Sequence, residues 1–106
     1  MATVIVKAGV CGMTSTIKST ADQPYGPVKL NIESDCPHIC KLAAELTEVN
    51  PLKEISHRGE GPQTLRLAAK HLPHAACPTP AGIIKAIEVA AGLALPQDAC
   101  ISVSKD

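Results

Sequence analysis

From Val28 to Glu33 the chain alternates apolar and polar residues without a break, which puts Val28, Leu30 and Ile32 on one face. A period of two predicts a strand with one side buried. Residues 3–8 are β-rich and predict an opening strand. Residues 14–20, with Thr and Ser flanking Ile17, predict a second. Gly9-Val10-Cys11-Gly12 breaks the chain between these two, and residues 21–27, with Pro24, Gly26 and Pro27, turn it into the third.

The period then lengthens. Ile39, Leu42, Ala43, Leu46 and Val49 recur at helical spacing. Asp35 is placed to cap this helix, Pro37 suits its first turn, and Asn50-Pro51 is a stop signal. Residues 52–61 carry no clear period, and Ile55 reads as part of a short extended piece. Gly61-Pro62 opens a second helix with Leu65, Ala68, Ala69 and Leu72 inward, ended by Pro73. Thr79-Pro80 opens a third, with Ile83, Ile84, Ile87, Ala90 and Ala91 on its apolar face. Gly92 stands where a left-handed terminal residue belongs. After a turn at residues 96–98, Ala99, Ile101 and Val103 alternate again and predict a last strand. The order is βββαααβ. It implies a single α+β domain over residues 1–106: a two-layer sandwich with a mixed four-stranded sheet and helices on one face.

Composition narrows the function. The chain has 106 residues, 45% of them apolar, yet no Phe, no Trp and one Tyr, Tyr25. Large flat ligands and single-stranded nucleic acid both favour aromatic platforms, so neither is an expected partner. Ten basic and ten acidic residues cancel, with no basic run to follow a phosphate backbone. No apolar stretch approaches a membrane span, and the first residues lack the form of a secretory signal. A cytoplasmic location is the expectation. Disulfides are disfavoured there, so five cysteines point to metal ligation, thiol chemistry or small core residues.

Two cysteines precede proline at predicted helix starts. One stands in Ser34-Asp35-Cys36-Pro37-His38-Ile39-Cys40 and the other in His74-Ala75-Ala76-Cys77-Pro78-Thr79-Pro80. The N–H groups and dipole at a helix start favour a thiolate, the form that binds metal or attacks an electrophile. An up-and-down path through consecutive elements brings Cys11, Cys36 and Cys77 to one edge of the sheet, with Cys40 one turn below Cys36. Cys100, low on the last strand, reads as a small apolar residue. His38, His57 and His71 read as solvated, whereas His74 lies close enough in sequence to Cys77 to close a site.

The candidate metal ligands are therefore Cys11, Cys36 and Cys77, with Cys40 or His74 as the fourth. No Cys-x-x-Cys pair of the kind typical of zinc is present. Thiolates at helix starts suit an iron–sulfur cluster better, because helix N–H groups offset its negative charge. The separations of 25, 4 and 37 positions do not match the closely spaced ferredoxin run. Zinc, or no metal, is the alternative. Electron transfer or cluster delivery implies a protein redox partner, and nothing in the pattern points to an enzyme. Two other classes stay open: a metal-free thiol protein in which Cys36 or Cys77 carries a persulfide or pairs transiently with Cys11, and a non-catalytic interaction module. The polar outer face of the sheet is compatible with a homodimer.

Cys11-Gly12, Ser34-Asp35-Cys36-Pro37, His74-Ala75-Ala76-Cys77-Pro78 and the run from Ile84 to Pro96 carry a resemblance over nearly the whole chain. The chain resembles a family of small cysteine-containing proteins of anaerobic bacteria and archaea that has no established activity. The resemblance implies an anaerobic setting and no mechanism.

Overall fold

Three antiparallel strands joined by short loops form most of the sheet in the computed structural model, which describes all 106 residues. They are β1 (Ala2–Lys7), β2 (Thr14–Ala21) and β3 (Val28–Ser34). Val4 lies opposite Ile17 and Ile17 opposite Ile32, so the apolar side chains stack across the sheet. The alternation read from the sequence is present: Ile17, Ser19, Val28 and Leu30 are buried, while Lys18, Thr20, Lys29 and Asn31 are exposed.

Helix α1 (Pro37–Glu45) packs on β3 and ends earlier than its apolar spacing predicts. Leu46 leaves the helix, Thr47 O accepts the Leu30 N–H at 2.8 Å, and β4 (Glu48–Val49) pairs with β3. Val49 is buried, as the periodicity requires, but from a strand. Pairing on β3 gives the Leu30 N–H an acceptor and still buries Val49, so the chain loses no apolar burial by leaving the helix. Asn50-Pro51 then starts a helix instead of stopping one. Asn50 Oδ1 accepts the Leu52 N–H at 3.1 Å and caps α2 (Pro51–Glu54), with Pro51 in the first turn. Ile55 closes α2 and does not lie in an extended piece.

The sheet order is β1-β2-β3-β4, antiparallel throughout. It is not mixed, because its fourth strand is residues 48–49 and not residues 99–103. Residues 99–103 have no regular structure and leave Ile101 79% and Val103 89% exposed. The element order is therefore βββαβααα, still an α+β fold with its helices on one face of the sheet.

Helix α3 (Gln63–His71) turns Leu67 and Ala68 toward the core, while Ala69, expected inward, is exposed. Helix α4 (Thr79–Ala90) lies over β1 and β2. Its Gly82 backbone meets the side chain of Val6, and Ser19 Oγ donates to Ala86 O at 2.8 Å near the other end of β2. These contacts fix the direction of α4, from the Lys7 end of β1 toward the Ala2 end. The helix closes as the sequence predicts. Gly92 has φ +78°, its N–H bonds to Val89 O, and the Leu93 N–H bonds to Glu88 O at 2.9 Å. The core joins Ile17, Val28, Leu30, Leu42, Leu46, Ile83 and Ile87. No helix is long and apolar enough to cross a membrane.

Candidate thiol site at the upper sheet edge

The sheet edge where β1 ends, β2 begins and β3 ends carries most of the cysteines; it is called the upper edge. Lys7 faces Thr14 there, and Ser15 faces Ser34. Cys11 sits at the tip of the loop between β1 and β2. The Ala8 N–H bonds to Met13 O at 3.0 Å and the Gly12 N–H to Gly9 O at 2.9 Å, which closes the loop. Gly9 and Gly12 hold φ of +105° and +72°, the region open to glycine, and they leave Val10 and Cys11 exposed.

Cys36 is tied to the same edge from the other side. The Asp35 N–H donates to Thr14 O at 3.1 Å, and the Thr14 N–H donates to Asp35 Oδ2 at 3.2 Å. Asp35 thus spends its carboxylate on the neighbouring strand and does not cap α1. Cys36 takes the N-cap position, without a side-chain capping bond, and its N–H donates to Ser34 Oγ at 3.0 Å. The Cys40 N–H makes the first helical bond, to Cys36 O at 3.0 Å, and Cys40 Sγ donates to Ser34 O at 3.4 Å. Cys36 and Cys40 therefore share one helical turn beside Ser34. Sequence reasoning passed over Ser34, whose position as the last residue of the alternating strand is the one signal for it.

Cys77 precedes α4. Its N–H bonds to His74 O at 3.4 Å in a tight turn, and the start of α4 lies at the Val6 end of β1, which is the upper edge. The path to it differs from a simple climb. Glu45 at the end of α1 contacts Lys70 and His71 at the end of α3, so the two helices finish side by side. Residues 72–78 cover the remaining rise.

The structure thus brings Cys11, Cys36, Cys40 and Cys77 to one edge, but in separate columns. Cys77 stands with α4 over β1 and β2, and Cys36 with α1 over β3. No three His, Cys, Asp or Glu side chains come close enough together to hold a metal ion. None of the five cysteines lies in the core. Cys36 and Cys77 are half-buried, and Cys11, Cys40 and Cys100 are exposed with free thiols. Cys100 was expected as a small apolar strand residue; it lies in the exposed C-terminal segment, its sulfur 3.8 Å from Ser102 Oγ. His38, His57 and His74 are exposed. His71 is not simply solvated, because it is half-buried against Glu45. That contact, with Lys70 Nζ at 3.1 Å, holds the Glu45 carboxyl below the usual glutamate range.

A family model matches residues 2–103, that of a family of unknown function (DUF6951), and the chain belongs to this family. No curated protein and no solved structure matches the chain significantly.

Proposed function

We propose that this member of the DUF6951 family works through the thiols of its upper sheet edge, as a small soft-metal-binding protein. One observation carries the reading. Free cysteine is among the most buried residue types, yet here all five stand outside the core, and four of them lie along one edge. Cys36 and Cys40 are the nucleus, since residues four apart meet on a helix. Cys77 and Cys11 supply further thiolates, and His74 is the nitrogen alternative. The ligand side chains stand apart in the fold, so binding must draw in the glycine-flanked loop that carries Cys11. Metal affinity and local ordering are then coupled. The finer reading is an iron–sulfur cluster in a cytoplasmic electron-transfer or cluster-carrier protein of an anaerobe, with a protein redox partner. An all-thiolate cluster carries negative charge, which the N–H groups at two helix starts offset.

Metal analysis of anaerobically prepared protein tests this. Wild type is expected to hold near-stoichiometric metal, Cys36→Ser to lose it with the fold intact, and Cys100→Ser to keep it. Stoichiometric metal in both variants refutes the assignment. Visible absorption separates an iron–sulfur cluster, which is brown, from zinc.

The lack of convergence favours a second reading, a metal-free thiol protein in which Cys36 or Cys77, both half-buried, carries a persulfide or pairs transiently with Cys11. Such a protein is colourless and alkylates rapidly at Cys36 or Cys77.

A further inference from the structure

The two edges of the sheet are treated differently. β4 is two residues long, and a short edge strand offers little backbone to a second chain. β1 is six residues, Ala-Thr-Val-Ile-Val-Lys, and pairs only with β2. It has no proline, its one charge is at Lys7, and no strand pairs with its other side. One row of its backbone N–H and C=O groups is unpaired. Ala2, Val4 and Val6, on the helix side, are only half-buried.

The same chain carries a strand without a sheet. Ala99, Ile101 and Val103 alternate with Cys100 and Ser102, a pattern that buries one side, yet Ile101 and Val103 stand almost bare in water. Residues 94–98 fold back along the flank of α4, with Leu95 and Asp98 beside Lys85 and Val89. Residues 99–103 are then exposed throughout and make no backbone hydrogen bond to the rest of the chain. The family match runs to residue 103 and so takes in both exposed side chains.

We propose that residues 99–103 form a strand on the free β1 edge of a second copy of this chain, each copy giving one strand and receiving one. The occupant follows from what each side lacks. The edge needs a strand whose apolar side extends Ala2, Val4 and Val6, and the tail offers Ala99, Ile101 and Val103. Its other side, Cys100 and Ser102, then lies on the outer face beside Thr3, the exposed Ile5 and Lys7. Reciprocal exchange satisfies both unpaired elements under two-fold symmetry and leaves no open end. The expected homodimer thus has a definite interface, at the sheet edge and not on the polar outer face, and it is independent of the thiol chemistry.

Sedimentation velocity with reductant present, which excludes a Cys100 disulfide, tests the exchange. Wild type is expected to sediment as a dimer at tens of micromolar. The double variant Ile101→Asp, Val103→Asp is expected to be a monomer with an unchanged far-ultraviolet spectrum, because the tail lies outside the core. Hydrogen exchange supplies the second readout: β1 amides that face away from β2 are protected in wild type and exchange freely in the variant. A monomeric wild type, a double variant that stays dimeric, or a wild-type dimer with unprotected β1 amides each overturns the proposal.

Discussion

A single glycine sets how closely the two layers meet. A Cβ on Gly82 would overlap Cγ2 of Val6 and touch Cγ1 of Val4 at 3.5 Å. Both neighbours are β-branched and stiff, so neither swings aside cheaply. Gly82→Ala is expected to lift α4 off β1 and cost about 1–3 kcal/mol, the usual penalty for overpacking. Urea denaturation measures it, and an unchanged midpoint counts against close approach as the reason for glycine there. Glu54 is the other residue with an outsized role. It is 2% exposed, and its carboxylate accepts the Gln63 N–H at 2.8 Å, the Thr64 N–H at 2.9 Å and the Thr64 hydroxyl at 2.6 Å. Pro62, the N-cap of α3, has no side chain able to do this. Glu54→Ala strands those donors and is expected to cost about 3 kcal/mol, since buried unpaired donors are penalised strongly. A calorimetric melt that matches wild type contradicts this role for Glu54.

At the scale of elements, the ends of α1 and α3 are joined electrostatically. Glu45 meets Lys70 and His71, and its carboxyl is held below the usual range, first by the His71 contact and then by Lys70. A carboxyl more acidic in the folded chain than in the unfolded one favours folding when ionised. That contribution is whole above the unfolded value, near pH 4.3. It fades as pH falls through the lower folded value. The pair is exposed and screened by salt, so the effect is small. Comparing wild type with Glu45→Gln in urea at pH 7, 4 and 3 is expected to show a modest gap that closes on acidification. A gap that widens reverses the sign of the argument. The same scale shows why α1 stops at Glu45. Residues 46–49 keep helical spacing, but β3 has an open side, and pairing it buries Val49 equally well.

At the scale of the whole molecule, the fold gathers at one edge cysteines that lie far apart in sequence and keeps them out of its core. Loss of metal in Cys36→Ser, with Cys100→Ser unaffected, is the expectation that belongs here, because the proposed ligands come from the β1–β2 loop and two helix starts. The dimer expectation belongs here too, since it joins the first strand of one chain to the last residues of another. The thiol proposal rests on Cys11, Cys36, Cys40 and Cys77 and the dimer proposal on Ile101 and Val103, so Cys36→Ser and the double variant Ile101→Asp, Val103→Asp test them separately.

The three leading strands, the three longer helices and the Gly92 terminator were legible because each is written locally, as a period of two, a period of 3.6 or a residue suited to a left-handed turn. The upper-edge address of Cys11 and Cys36 followed from the short connections among the first three strands, whereas Cys77 reaches that edge through residues 72–78, because α3 ends beside the lower end of α1. Tertiary structure decided the rest. Asn50-Pro51 is compatible with ending one helix or starting another, and β4 selected the start. Asp35 is a fitting cap until Thr14 claims its carboxylate. Residues 99–103 have a strand's pattern, but a strand exists only where an unpaired edge lies within reach. How near the thiols stand to one another depends on the spacing of columns in the helix layer. No run of residues encodes that distance, because it is set by packing between elements far apart in the chain.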